Sequence, residues 1–183
     1  MNLFPPMPNW EAAHPLVVHA PLALLMLAWA PMVIGLVDFR RRWVWMVGAL
    51  LMLLAGTALA FVAVMSGEAT EEKAVITSQV VERAVHEHEE MGELARTMFV
   101  VATGVFVVVL GLGAGMKKGK GRTGAVVVGA LVFLGVYGYA ATRLAWAGHL
   151  GAELVHGYGV RAPMAPSTPA VSPGGEGAET DDD

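Results

Sequence analysis

Six histidines carry most of the chemical potential of this chain, and they fall into three groups. The first is His14-Pro15-Leu16-Val17-Val18-His19-Ala20-Pro21. The second is His86-Glu87-His88-Glu89-Glu90, and the third holds His149 and His156 within Gly148-His149-Leu150-Gly151-Ala152-Glu153-Leu154-Val155-His156. A neutral imidazole can ligate a metal through one ring nitrogen while the other donates a hydrogen bond. The chain has no cysteine, which removes disulfides, Cys-ligated iron–sulfur clusters and covalent c-type haem attachment. A b-type haem, or a metal held by histidine and carboxylate, stays open.

The elements that must position these histidines are membrane spans. Of 183 residues 55% are hydrophobic, and four apolar runs account for most of them: about 15–37, 43–65, 94–116 and 123–147. Each has roughly the 20 residues that cross ~30 Å of hydrocarbon as a helix. An open sheet would leave backbone groups unpaired in lipid. The expected fold is therefore an all-α membrane protein, a four-transmembrane-helix bundle with an amphipathic periplasmic helix between spans two and three. The expected domains are an N-terminal tail over 1–14, a membrane domain over 15–160 and a disordered acidic tail over 161–183. The tail is rich in Pro, Ser, Gly and acidic residues and cannot bury enough apolar surface to fold.

Charge sets the orientation. Arg40, Arg41 and Arg42 lie between spans one and two, and Lys117, Lys118, Lys120 and Arg122 between spans three and four. The connection from Ser66 to Glu93 has only Lys73 and Arg83 against eight glutamates. The positive-inside rule then puts both short loops in the cytoplasm. Both termini, the long connection and all six histidines face the periplasm of a bacterial inner membrane. Asp38 reads as a local charge partner at the helix end. The first residues lack the basic region of a signal peptide. No basic patch long enough to line a groove is present, so nucleic acid is not an expected partner. A weak two-fold repeat is visible, in which each half has a histidine-bearing start, an inward span, a basic turn and an outward span.

Position ranks the histidines. Val81, Ala84, Val85, His88, Met91, Gly92 and Ala95 follow helical spacing. His88 is on that apolar stripe, and His86, about 200° around the helix, is on the charged face. Pro21 lacks an N–H and should loosen the helix toward residue 17, placing His19 beside a local distortion. His14 reads as an interfacial cap and His86 as a solvated residue. His149 sits where span four leaves the membrane, between glycines that give a flat ligand or a neighbouring backbone room, or simply break the helix. Arg96 and Arg143 lie near the outer ends of spans three and four. A cation there can bind haem propionates, snorkel to headgroups, or pair with Glu93 and Glu153. The eleven methionines are mostly packing residues. Ser66-Gly67-Glu68 reads as a helix exit and cap rather than a nucleophile.

These motifs resemble a bacterial membrane-protein family catalogued as domain of unknown function 2231. The resemblance rests on His14-Pro15-x-x-x-His19-x-Pro21-x-Ala23-Leu24-Leu25, on His88-Glu89, and on the exit segment Gly151-Ala152-x-Leu154-Val155-x-x-x-Gly159-Val160. It covers roughly residues 12–160. The exit segment departs from the family pattern in Ala152 and in the order of His156 and Tyr158. The resemblance implies a small four-span bacterial membrane protein, sometimes associated with redox modules.

Three functional readings follow. The first is a cytochrome-like electron-transfer subunit, with haem b held near the periplasmic face by His19 and His88. His149 would substitute for either or hydrogen-bond on the propionate side, Arg96 and Arg143 would serve the propionates, and a periplasmic electron carrier or a larger membrane complex would be the partner. The second is a haem-free site for Zn, Fe or Cu, built from His19, His88 and His149 with Glu68 or Glu89. The third is a structural membrane anchor whose histidines are merely hydrogen-bonded. A hydrolytic enzyme has little support, so a redox or structural subunit is expected.

Overall fold

A computed structural model describes residue 10 and residues 13–38, 40–72, 78–115 and 120–160. The expected acidic tail, and most of the expected N-terminal tail, lie outside the described residues. Six helices follow in chain order: α1 His14–Val17, α2 His19–Leu27, α3 Trp29–Val37, α4 Arg42–Glu71, α5 Gln79–Gly115 and α6 Lys120–His156. No strand occurs among the described residues.

The first span is α1 to α3, a single rod interrupted at Val18 and Ala28. Pro21 and Pro31 lack the N–H that would bond the carbonyls of Val17 and Leu27, so the helix loosens just before each proline. The other three spans are continuous. Four helices are long and apolar enough to cross a membrane: His14–Gly35, Arg42–Glu71, Gln79–Gly115 and Gly124–His156. At 1.5 Å per residue α4 is about 45 Å long and α5 and α6 about 55 Å, well beyond ~30 Å of hydrocarbon. The excess over the expected span limits lies mostly at the histidine-bearing end. There the described part of the long connection is the first turns of α5, with Val81 and Val85 buried and Glu82, Arg83, His86 and Glu87 exposed.

Neighbouring spans pack in sequence, α2 and α3 on α4, α4 on α5, and α5 on α6, while α2 also meets α6. The core is a single stripe from each helix. Leu25, Ala28 and Met32 meet Ala49, Leu53 and Ala60 of α4, Phe99, Ala102 and Phe106 of α5, and Phe133, Tyr137 and Ala140 of α6. Two buried polar contacts tie the spans together. The Tyr137 hydroxyl donates to the Leu25 carbonyl at 2.6 Å, and the hydroxyls of Thr57 and Thr103 meet at 3.1 Å. Outside the stripes, Leu51, Val108, Leu131 and many other large apolar side chains are exposed. A soluble monomer rarely exposes so much contiguous apolar surface; here it meets lipid.

Close approach between spans depends on small residues. A Cβ built on Gly56 would lie 2.7 Å from Leu25 Cγ and 3.2 Å from Leu24 Cβ. Neither atom is the free end of a side chain, so α2 and α4 must separate. Gly56→Ala is expected to cost about 1–3 kcal/mol, as overpacking does. A lowered melting temperature in detergent, with helix content unchanged, is the readout.

The first turn between spans is organised by Asp38. Its carboxylate accepts the indole N–H of Trp45 at 3.2 Å and the backbone N–H groups of Arg41 and Arg40 at 3.1 and 3.2 Å. The indole, then the Arg41 amide, hold the Asp38 carboxyl below its ordinary value of 3.8. A depressed carboxylate stabilises above its unfolded pKa and loses that contribution as pH falls through the folded one. Trp45 emission should therefore stay constant down to the usual aspartate range and shift only below it. Asp38→Asn should flatten that acid transition.

Candidate functional site

Each helix has one inward stripe, and two histidines lie on these stripes. On the first span the buried residues Pro21, Leu25, Ala28 and Met32 continue back at helical spacing to His14. On α5 the buried series Val81, Val85, Ala95 and Phe99 passes through His88. Both histidines are half-buried. Their rings face each other edge to face, with centroids 6.3 Å apart and planes at 81°.

Each ring is fixed by the next span in the chain. His14 Nδ1 is 2.9 Å from the Ala63 carbonyl of α4, and His88 Nδ1 is 3.0 Å from the Ala147 carbonyl of α6. A carbonyl oxygen can only accept, so in each ring Nδ1 carries the proton. Nε2 of each neutral imidazole is then left with its lone pair, and neither has a hydrogen-bond partner among the described residues. This is the tautomer a metal-ligating histidine uses, with one nitrogen oriented by a backbone carbonyl and the other available.

One helical turn beyond each carbonyl stands a glycine, and the ring lies against it. A Cβ on Gly67 would be 3.1 Å from His14 Cε1, and a Cβ on Gly151 would be 2.9 Å from His88 Cε1. The two hairpins thus repeat one arrangement: a histidine on the first span of the pair, an alanine carbonyl on the second, and a glycine four residues later. The halves differ at one position. Ser66, fully buried, donates to the Ala63 carbonyl at 2.8 Å and lies 3.1 Å from His14 Nδ1, whereas Leu150 occupies the matching place in α6.

The other residues singled out in the sequence lie outside this pair. His19 is exposed, and the ring that meets His88 is that of His14. Five residues along a helix turn about 140°, so His14 and His19 cannot share the inner face. His149 is exposed, with its ring 5.3 Å from that of Trp146. The room made by Gly151 is used by the His88 ring. His86 is on the outside, within 3.3 Å of Glu90 and 3.8 Å of Glu89. Ser66-Gly67 is not a helix exit, because α4 runs on to Glu71 and puts both residues beneath His14. The reading of His14 as an interfacial cap missed this; the signal that could have found it is its heptad spacing to Pro21 and Ala28.

The two arginines differ. Arg96 is 3.6 Å from Glu93 and stacks over Phe61 at 5.0 Å, so its charge is already partnered. Arg143 lies over the Tyr139 ring at 4.8 Å, and its Nε is buried with no hydrogen-bond partner. It stands one helical turn from Ala147, on the membrane side of the histidine pair.

Residues 11–163 match the family described as predicted membrane protein (DUF2231). The chain belongs to that family. The match takes in both histidines, both alanine carbonyls and both glycines of the site. No curated protein and no solved structure matches the chain. The family is thus one of membrane proteins, and the four apolar helices place this member in a bilayer.

Proposed function

We propose that this chain is an integral membrane b-type cytochrome-like electron-transfer subunit, with a haem held near the periplasmic face by His14 and His88. The observation that carries the reading is the facing pair itself: two imidazoles from opposite hairpins, each bonded through Nδ1 to a backbone carbonyl, which leaves Nε2 as the ligating nitrogen. His14 takes the place given to His19 on sequence grounds.

The residues present fit the group in three respects. The donor set is two neutral imidazoles, as a b-type haem accepts. The two rings come from opposite hairpins and face each other with their centroids 6.3 Å apart. The Arg143 guanidinium, stacked on Tyr139, keeps one buried N–H at Nε without a hydrogen-bond partner at the same end of the bundle, a donor suited to a propionate. A bare ion fits less well. Zinc sites use three or four protein ligands, and no group of three His, Cys, Asp or Glu able to hold a metal occurs among the described residues.

Haem, when bound, supplies reversible one-electron chemistry. The chain's own part is orientation and environment. Ala63 and Ala147 hold the imidazoles by their Nδ1 protons, and the apolar stripes below exclude water. Ser66 shares the Ala63 carbonyl with His14, so the two imidazoles are unequal donors. The rim is strongly acidic, with Glu68, Glu72, Glu82, Glu87, Glu90 and Glu93 exposed, which favours a basic periplasmic carrier or a basic face of a larger complex. The arginines at the other end orient this rim outward, with both termini periplasmic in a bacterial inner membrane.

The test is haem by pyridine haemochrome together with elemental analysis on the purified chain. One haem and one iron per chain are expected. Stoichiometric zinc or copper without haem would favour a bare metal site. A colourless, metal-free and fully folded protein would make the histidine pair an interhelical clasp and the chain a structural anchor.

A further inference from the structure

At the arginine-bearing end, far from the histidines, α3 and α4 part to leave an apolar groove of about 460 Å³. Pro31 and Ile34 form one wall, and Trp45, Gly48 and Met52 the other. The groove exists because Gly48 has no side chain to fill it: a Cβ built there would meet nothing within 4 Å. It stays open because the Trp45 indole is tethered to Asp38 at 3.2 Å. From Val44 to Met52 it follows α4 inward for about 12 Å, part of the depth of one leaflet. Its flanks, Ile34 and Val44, are exposed to the surrounding lipid.

Arg40 and Arg41, both exposed, lie in the turn that joins the two walls, their backbone N–H groups bonded to the same Asp38 carboxylate as the Trp45 indole. Asp38 is committed to the Trp45 indole and to their backbone N–H groups. An apolar slot beside a turn with two exposed cations matches a ligand with an acyl chain below and a negative charge above. Neutral lipids would meet only the slot, and soluble anions only the cations. We infer that this groove binds one acyl chain of an anionic glycerophospholipid whose phosphate is held by Arg40 and Arg41. The inference is independent of the redox reading.

Native mass spectrometry of the detergent-purified full chain, titrated with phosphatidylglycerol or phosphatidylcholine of identical acyl chains, tests it. Phosphatidylglycerol should bind more tightly. The double variant Arg40→Gln/Arg41→Gln should lose about 30-fold in phosphatidylglycerol affinity, at roughly fivefold per basic residue near the membrane surface. Gly48→Leu, whose Cβ has open space around it, should fill the slot and weaken both lipids while leaving the melting temperature unchanged. Equal binding of the two lipids by the native chain would overturn the assignment of the headgroup. Undiminished phosphatidylglycerol binding by Gly48→Leu would overturn the assignment of the groove.

Discussion

His14→Ala and His88→Ala should each yield a folded protein with less than about a tenth of the native haem content, because each removes one of the two imidazoles that ligation needs. His19→Ala and His149→Ala should retain the pigment, since both side chains are on the outer surface of the bundle. The contrast between His14 and His19 is the sharper half. Both sit in the same proline-flanked motif, and only the inner face separates them. Haem loss in His19→Ala with retention in His14→Ala would reverse the face assignment. Equal retention in all four variants would remove the histidines from cofactor binding altogether. Helix content and melting temperature measured alongside keep a folding defect from being read as a binding one. Each substitution removes one hydrogen bond to a backbone carbonyl, worth about 1 kcal/mol, so the bundle should survive.

Gly151→Ala should weaken haem binding roughly 10–100-fold, the effect of disturbing the partner that orients a ligand, with little loss of stability. The added Cβ would lie 2.9 Å from His88 Cε1, a distance real Cβ atoms essentially never show. The imidazole is the end of a side chain and can move aside. Moving it breaks the 3.0 Å bond to Ala147 and turns Nε2 from its position. Gly67→Ala should act in the same direction but less, since its Cβ would be 3.1 Å from His14 Cε1 and Ser66 offers that ring a second hold. Haem titration of the two variants ranks them. Tighter or unchanged binding in Gly151→Ala would mean that the glycine serves helix packing rather than the imidazole.

The spans were legible because a run of about 20 apolar residues has few structural meanings. The register of α5 was legible too: Val81, Val85 and Ala95 at helical spacing put His88 inward and His86 outward, as the structure has them. The partner of His88 was harder to read. Pro21 draws attention to His19, the residue beside the distortion, while the stripe from Met32 back through Ala28 and Pro21 leads to His14. The stripe decides, because burial of an apolar face determines how a helix rotates. Gly67 and Gly151 were ambiguous, since glycine in an apolar run marks either a break or a close approach. Tertiary packing carries α4 past Ser66-Gly67 despite the low helix propensity of glycine. The Ala63 and Ala147 carbonyls could not be found from the sequence at all, because every residue has a carbonyl and only the fold selects these two.

The central claim is that the paired imidazoles ligate a haem. A dithionite-reduced minus oxidised absorption spectrum of the detergent-purified chain, expressed with haem available, tests it most directly. A b-type α band is expected from the native chain, and none from His14→Ala or His88→Ala. A flat spectrum from the folded native chain would contradict it.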